Sequence, residues 1–337
     1  MIAASDLLTP AQLAEVRKRS DWKGTGLVLH AWALIFGAMA LFAFWPNPLT
    51  YILAVCIIGT RMLGLAILMH DGAHGVLTEN QKLNMFLSQW FCAIPLLADT
   101  HAYRTYHLKH HANTQTEKDP DLILSAPFPV TKKSFRRKMI RDLTGQTAYQ
   151  QRKAQFQNAL GNSDLPLGQR LNNLRQKLGK GIAVNLLLLA GCAATGHAYL
   201  YVILWVVPFM TWQMAIIRIR NIAEHAMVPD NEDPFRNART TLTNPLTRLF
   251  MAPYGVNYHV EHHLMMWVPC YNLPKARKYL LENGFGDRME SMPGYRAVIK
   301  LATSRPDDED RRGDLVHNSR RKRVSGTFDE GYQAPAN

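Results

Sequence analysis

The sequence is poor in cysteine, and its cysteines are not spaced for binding a metal. Only four occur in 337 residues, and no two of them form a Cys-x-x-Cys pair: Cys56, Cys92, Cys192 and Cys270. This argues against a disulfide-stapled scaffold and against a structural zinc ribbon. The first 23 residues mix acids and bases in a polar stretch, so we expect no cleaved signal peptide at the front.

Charged residues are scarce in two long stretches of the chain, residues 25–69 and 181–219. The overall composition, 47% hydrophobic and 19% charged, is close to the average of globular proteins, so the distribution carries the information. Outside these two blocks the chain is polar and rich in lysine and arginine. The distribution excludes a uniformly soluble globule, and it equally excludes a protein that is mostly buried in lipid.

Each block has the length of a helical hairpin that crosses a membrane twice. The first block breaks at Pro46-Asn47-Pro48, and each half of 21 residues spans roughly 31 Å as a helix, the thickness of a bilayer core. The second block is too long for one span and divides near Thr195-Gly196-His197. The sequence therefore predicts an all-α polytopic membrane protein with four transmembrane helices in two hairpins. The predicted spans are residues 25–45, 49–69, 181–196 and 199–219.

Basic residues flank only one end of each predicted hairpin. Neither short turn, residues 46–48 or 197–199, contains a lysine or arginine, whereas the opposite ends contain many. Because positive residues are retained in the cytoplasm, both termini and the long middle segment should lie there. Most of the net charge of +13 has this origin, and since the basic residues form no nucleic-acid-binding motif, we expect no nucleic-acid partner.

We expect one domain over residues 1–302, a multi-pass integral membrane protein whose middle segment forms a cytoplasmic helical cap. Within that segment, residues 82–98 are apolar but short and contain Pro95, which favours an interfacial or re-entrant helix over a fifth span. Residues 132–174 are rich in Gln, Arg and Lys and should form helix on the lipid headgroups. The tail, residues 303–337, is expected to be disordered.

Nine of the thirteen histidines fall into four tight groups. On a helix, positions i, i+3 and i+4 share one face, so each group aims its imidazoles at a common point. The groups are His70 with His74, His107 with His110 and His111, Asn221 with His225, and His259 with His262 and His263.

Such spacing is typical of metal binding, because neutral imidazole is a common ligand of iron, zinc and copper. The number of histidines exceeds the four ligands of one tetrahedral zinc, so it favours two metals that share the cluster. The sequence contains neither the Glu-x-x-His pairs of soluble di-iron bundles nor a His-Glu-x-x-His protease motif. Four spans place all the groups on one side of the membrane, whereas a single span in the second block would separate them.

A solvated basic face is the competing interpretation of these groups. It would have to produce helical spacing three times, together with Asn-x-x-x-His, on one side of the membrane by chance. Isolated histidines, in contrast, are interpreted as ordinary polar residues: His30, His101, His197 and His317.

Together, the spacings His-x-x-x-His, His-x-x-His-His and His-x-x-His-His around two membrane hairpins resemble those of the membrane fatty acid desaturase superfamily. The resemblance covers residues 32–274. It includes Glu117-Lys-Asp-Pro-Asp121 after the second group, and Asn257-Tyr-His-Val-Glu-His-His-Leu264 leading to Asn272-Leu-Pro274. It implies that the nine histidines hold two irons and that Asn221 reaches the metal through a bound water.

The resemblance also implies a reaction and its partners. In this family a reduced di-iron centre activates O2, which implies an O2-dependent desaturase of a fatty acyl chain or acyl lipid. A separate ferredoxin or cytochrome b5-type donor is expected, because the chain lacks a His-Pro-Gly-Gly haem motif and its basic face suits an acidic carrier. A lipid or carotenoid hydroxylase or ketolase stays open, since the same centre performs either reaction. A histidine-rich metal transporter is the remote alternative, but it should place its ligands at the bilayer midplane.

Four carboxylates near the histidines are candidates to accept the outward N–H of a ligand imidazole: Asp71, Asp119, Glu224 and Glu261. Each of them would equally fit a solvated charge on a helix surface. Arg61 is a charge in the middle of a predicted span, where charge is costly and often functional. We interpret it as facing the helix bundle and capping carbonyl groups.

Overall fold

The computed structural model of the chain describes residues 2–305. Within these residues, four helical stretches are long and apolar enough to cross a membrane, which confirms the predicted all-α architecture with four spans. They are Asp21–Phe44, Pro48–His74, Leu167–Ala194 and Tyr199–His225. The tail that was predicted to be disordered lies outside the described residues from residue 306 onward.

The regular secondary structure of the described residues is almost all helical. In chain order the α-helices are α1 Ala4–Leu7, α2 Pro10–Arg17, α3 Asp21–Phe44, α4 Pro48–His74, α5 Gln81–Leu87, α6 Thr100–Asn113, α7 Leu122–Ser125, α8 Lys132–Leu143, α9 Gln146–Leu160, α10 Leu167–Ala194, α11 Tyr199–Tyr201, α12 Val207–Met210, α13 Trp212–His225, α14 Pro245–Phe250, α15 His259–Leu264, α16 Leu273–Glu282 and α17 Tyr295–Ala302. Two π-helical segments are Ser88–Ala93 and Val202–Val206, and the 3₁₀ segments are Ile94–Leu96, Pro253–Gly255, Cys270–Asn272 and Gly286–Arg288. Two short parallel strands, β1 Thr240–Thr241 and β2 Ser291–Met292, pair with Thr240 opposite Ser291.

The turn of the first hairpin is built by the residues that break the apolar run. α4 begins at Pro48, whose missing N–H suits the first position of a helix. The side-chain oxygen of Asn47 accepts the backbone N–H groups of Leu49 and Thr50 at 3.0 and 3.1 Å and so caps α4. The second hairpin turns at Gly196, where a φ of 78° favours glycine.

All four spanning helices extend beyond the apolar stretches that predicted them, and α3 does so by beginning at Asp21. α4 continues past residue 69 through His74 and ends only at the left-handed Gly75. α10 begins at Leu167 instead of residue 181, because no proline interrupts the polar residues that precede the apolar run. The last span continues past residue 219 to His225. Hydropathy marks where a helix leaves lipid, not where its backbone hydrogen bonding stops, so the helices are longer than the predicted spans, whose bounds stay a prediction.

α4 is the central helix of the bundle. It is buried without interruption from Ile58 to Ala73, with α3 packed along one side. Large apolar side chains on the outer surfaces of the spanning helices are exposed: Leu29, Phe36, Leu49, Ile52, Leu186 and Leu187. An apolar outer surface on helices of this length is what contact with lipid requires.

Arg61, the charge in the middle of α4, is buried and faces the segment that leads into the group of His259, His262 and His263. Its guanidinium donates to the carbonyl oxygens of Arg248 and Leu249 at 3.2 and 3.0 Å, at the end of α14. It also lies over the ring of Tyr254. The interpretation of Arg61 as a residue that caps carbonyl groups is confirmed, and the contact fixes α14 against α4.

Residues 82–98 do not form a fifth span. α5 is followed by the π-helical and 3₁₀ segments, which pack between α4 and α10. The segment approaches α4 closely at Gly72, where a Cβ atom would lie 2.1 Å from Cβ of Ser88. At the other end, Nδ2 of Asn185 donates to the carbonyl of Pro95 at 3.1 Å.

The region predicted to be helical over residues 132–174 contains α8, α9 and the beginning of α10. Gly145, with a φ of 77°, separates α8 from α9. α8 is tied to α13 by Arg218, whose Nη2 donates to Asp142 at 2.8 Å. The cytoplasmic placement of these helices stays a prediction.

Candidate metal centre

The first histidine group lies on the last turn of α4. The ring centroids of His70 and His74 are 4.8 Å apart, one helical turn along the chain. Arg104 of α6 donates to the carbonyl of Ala73, one of the carbonyls that the end of α4 leaves without a partner inside the helix. This contact ties the end of α4 to the helix that carries the second group.

The histidines come together in two clusters, and α6 and α15 each contribute to both. The five-histidine cluster comprises His70, His74, His107, His111 and His262. The four-histidine cluster comprises His110, His225, His259 and His263. The structure therefore assembles all nine of the histidines that sequence spacing selected.

The clusters have the size of metal sites and adjoin each other. Within each cluster the ligand nitrogens lie within 4.8 Å of one another. Nitrogens that share a metal at about 2.1 Å lie roughly 3–4 Å apart, so little movement is needed to close either cluster on an ion. The rings of His111 and His263, one from each cluster, have centroids 4.4 Å apart.

Five of the histidines direct Nδ1 away from the clusters and toward an oxygen. Nδ1 of His110 lies 2.8 Å from Asp119 Oδ1, and Nδ1 of His225 lies 3.1 Å from the carbonyl oxygen of Asn237. The other three pairs are His70 with Asp71 at 3.3 Å, His259 with Glu224 at 3.6 Å and His263 with Thr114 at 3.4 Å. A proton on Nδ1 satisfies these oxygens and leaves Nε2 as an acceptor that faces the cluster.

The inward Nε2 atoms lie close to one another, an arrangement that suits imidazoles sharing a cation. Those of His225 and His259 are 2.7 Å apart, and those of His70 and His262 are 3.0 Å apart. Two lone pairs at such distances repel each other. Nε2 of His74 is buried and has no hydrogen-bond partner among the described residues. The donor set therefore fits metal ions that take imidazole ligands, one for each cluster.

Burial keeps most of these imidazoles neutral. Among the six histidines outside the spanning helices, it lowers the pKa of five well below the ordinary value, and positive charge on neighbouring groups adds to the effect: His107, His111, His259, His262 and His263. A neutral imidazole offers a lone pair to a metal, whereas a protonated one offers none. These five imidazoles are thus in the metal-binding protonation state at neutral pH.

His110 behaves differently because two carboxylates face it. Burial lowers its pKa, but the hydrogen bond with Asp119 and the charges of Asp121 and Asp119 outweigh burial, so that the pKa is raised. Asp119 is held rigidly, since it accepts the backbone N–H groups of Gln115 and Asp121 at 2.8 Å each. The same contact orients Nε2 of His110 toward the four-histidine cluster.

A small cavity of about 30 Å³ lies beside the four-histidine cluster. Its lining includes Asn221 together with His110, His225 and His259. A cavity of this size holds about two water molecules. Asn221 thus shares a water-sized space with the cluster, which is the arrangement that a water-mediated contact requires.

Of the four candidate carboxylates, three face an imidazole and one does not. Besides Asp71 and Asp119, Glu224 faces His259 and accepts a hydrogen bond from Arg220 at 2.5 Å. Glu261 instead accepts from Arg277 of α16 at 2.5 Å, and it also accepts from Thr240 of β1. Glu261 therefore anchors α15 to its neighbours, and its position beside His262 in the sequence was misleading.

Sequence reasoning missed three residues that contact the histidines. The ring of Tyr103 stacks on that of His107, with centroids 5.1 Å apart, and its position four residues earlier on α6 was a usable signal. Thr114 follows the second group by three residues. Asn237 contributes only its backbone carbonyl, for which no side-chain pattern exists.

Comparison with known proteins identifies the family. A family model described as fatty acid desaturase matches residues 46–288, well over half of the chain, and this range contains both clusters. The chain belongs to the fatty acid desaturase family. The predicted resemblance is confirmed, and with it the expectation of a membrane oxidoreductase.

Its relatives perform more than one reaction. The dihydrorhizobitoxine desaturase of Bradyrhizobium elkanii is 30% identical over 258 residues, 74% of this chain and 70% of that protein. The beta-carotene ketolase of Paracoccus sp. (strain PC1) is 25% identical over 268 residues, 75% of this chain and 87% of that protein. A chloroplastic sn-2 acyl-lipid omega-3 desaturase (ferredoxin) of Helianthus annuus is 28% identical over 136 residues, 38% of this chain and 29% of that protein. Membership of the family therefore leaves the reaction to be assigned.

Proposed function

We propose that this protein is an O2-dependent di-iron desaturase that introduces a double bond into a fatty acyl chain or acyl lipid. The observation that carries the proposal is the pair of adjoining clusters, whose nine histidines would hold two irons, with Asn221 reaching the four-histidine cluster through water. In the reaction, two neighbouring methylenes lose one hydrogen each and O2, with two electrons and two protons, becomes two waters. The desaturase relative from Bradyrhizobium elkanii supports this assignment.

The contribution of the chain is geometry and exclusion of water. Bound iron would supply the O2 activation that no side-chain acid or base performs on an unactivated methylene. Asp119 and the carbonyl of Asn237 hold their histidines with Nε2 directed inward. His107 and His262 are only 4% and 5% exposed, so bulk water has little access to these two ligands.

A lipid or carotenoid hydroxylase or ketolase is the second candidate. The observation that favours it is the similarity to a beta-carotene ketolase over 87% of that protein. The two reactions share the removal of a first hydrogen and differ in whether a second hydrogen is removed or oxygen is added to the carbon. The metal transporter has less support, because His74 and His225 lie at the ends of spanning helices and not midway along them.

The partners follow from charge and from membrane placement. The Helianthus annuus relative is named as a ferredoxin-type desaturase, and the net charge of +13 on this chain would attract an acidic electron carrier of the ferredoxin or cytochrome b5 type. The substrate would enter from the bilayer. The positive-inside pattern assigns the termini and the clusters to the cytoplasmic side.

Mass spectrometry of total lipids and pigments from aerobic cells that express the protein tests the assignment. His262→Ala removes one inward nitrogen of the five-histidine cluster, and His101→Ala, an exposed histidine on α6 outside both clusters, is the matched control. We expect a product that lacks two hydrogens in cells with wild-type or His101→Ala protein and none with His262→Ala. A product that carries an added oxygen would establish the second candidate. Full product formation by His262→Ala would contradict both.

A further inference from the structure

Helix α8 carries a dense group of positive charges that the proposed chemistry does not use. Six of its twelve residues are basic: Lys132, Lys133, Arg136, Arg137, Lys138 and Arg141. All except Lys138 are exposed, and the exposed five form no ion pair with any described residue. The acidic residue of the helix, Asp142, is buried and bound by Arg218. The outer face of α8 therefore presents uncompensated positive charge.

The helix lies against the side of the last spanning helix. Phe135 and Met139 on its inner face pack against a buried apolar group that includes Ile219. α9 continues along the same span, with the guanidinium of Arg152 lying 5.2 Å from the centre of the Phe209 ring. α8 is thus within reach of the lipid that surrounds this span, and the residues named here belong to neither histidine cluster.

Two large apolar side chains are exposed among the cations of α8. Ile140 and Leu143 are 46% and 45% exposed. Ile140 follows Arg136 by four residues and Arg137 by three, so the three side chains share a face. Apolar side chains flanked by arginine on an outer face are typical of a helix that lies in the membrane interface. An acidic soluble protein would match the charges but would leave these apolar groups without an apolar environment.

We propose that the outer face of α8 binds anionic phospholipid headgroups, with Ile140 and Leu143 directed into the upper part of the acyl chains. The guanidinium groups of Arg136 and Arg137 present paired N–H donors that match phosphate oxygens, and the exposed lysines add charge. The inference rests on the membrane placement of the chain and not on its reaction.

Lipid binding by the full-length protein in detergent tests the proposal, with phosphatidylglycerol and phosphatidylcholine as probes and native mass spectrometry to count bound lipid. One triple variant removes three outer-face cations: Lys133→Gln, Arg136→Gln and Arg137→Gln. The matched control removes three exposed cations near α2 and on α16: Lys18→Gln, Lys275→Gln and Lys278→Gln. A cation near a membrane surface is worth roughly fivefold in binding, so the preference for phosphatidylglycerol should fall at least about tenfold in the first variant only.

Two results would overturn the proposal. If the α8 variant kept the wild-type preference for phosphatidylglycerol, its outer face would not select anionic lipid. If the control variant lost this preference to the same extent, the effect would come from net charge and not from α8. Turnover with an acidic electron carrier is a separate readout. If the α8 variant lost carrier-supported turnover while keeping its lipid preference, the face would be a protein docking surface instead. Because lipid counting needs no turnover, it can fail without the proposed reaction failing.

Discussion

Replacing Asp119 by asparagine should weaken the four-histidine cluster and leave the five-histidine cluster intact. The carboxylate of Asp119 lies 2.8 Å from Nδ1 of His110 and is 2% exposed, so water does not replace it. Asparagine keeps the shape and an acceptor oxygen but loses the negative charge. The imidazole of His110 then becomes a poorer electron donor to a metal, and its orientation is less firmly held.

The size of the effect follows from the nature of the contact. Loss of an outer partner of a ligand histidine typically weakens metal affinity about 10–100-fold, which corresponds to about 1.4–2.8 kcal/mol. Among the described histidines, Asp119 contacts only His110, which belongs to the four-histidine cluster. The loss should therefore affect one of the two irons.

Iron content after dialysis against increasing concentrations of a chelator measures this. Asp119→Asn should lose one iron per chain at a chelator concentration that leaves wild-type protein with both. Asp230→Asn is the matched control, because Asp230 also accepts backbone N–H groups of its own loop, those of Glu232 and Asp233, but has no histidine contact among the described residues. Wild-type chelator resistance in Asp119→Asn, or simultaneous loss of both irons, would refute the reasoning.

Three further predictions concern stability. Arg61→Met leaves two carbonyl groups of α14 without their donor, which should lower the free energy of unfolding by about 1–3 kcal/mol and so lower the melting temperature. Replacement of the exposed Arg296 by methionine should leave the melting temperature unchanged. Equal melting temperatures for the two variants would contradict this prediction. Gly72→Ala should prevent α4 from packing on the π-helix and abolish the folded fraction in size-exclusion chromatography. Gly26→Ala should behave as wild type, because the space around a Cβ atom at that position is open. Normal folding of both variants would contradict this prediction. Five cluster histidines outside the spanning helices have lowered pKa values, so they stay neutral when folded but take up protons below about pH 6.5 when unfolded. The free energy of unfolding of metal-free protein should therefore fall by up to about 1.4 kcal/mol per histidine per pH unit below that value. His110 has a raised pKa and therefore offsets the loss of stability from one of these histidines. Denaturant unfolding that shows constant stability from about pH 7.5 to about pH 5.5 would contradict the lowered pKa values.

Much of the architecture could be predicted because it depends on local sequence. An apolar run of helical length and a Pro-Asn-Pro break specify a hairpin whichever other residues surround them, and Asn47 caps α4 using only its own neighbours. The same is true of the histidine spacing, which places His70 and His74 on one face of a helix. The ends of α4 and α10 could not be predicted from hydropathy, since the helices continue through polar residues after leaving the apolar stretch.

The division of the histidines between two clusters depends on contacts between distant parts of the chain. Spacing shows that His107 and His111 share a face of α6, but not which other helix they meet. The rotation of α6 and α15 about their axes is fixed by contacts such as Arg104 with Ala73 and Glu261 with Arg277. For the same reason, the sequence could not tell that Asp119 faces an imidazole whereas Glu261 faces an arginine.

The central claim is that nine histidines hold two irons in adjoining clusters, and it is tested most directly by counting metals in protein purified from iron-supplied cells. Elemental analysis combined with Mössbauer spectroscopy should find two irons per chain in two distinct environments, one for each cluster. His74→Ala should change the environment of the five-histidine cluster and leave the other spectrum as in wild type. A folded, active protein that contains a single iron, or zinc in place of iron, would contradict the account.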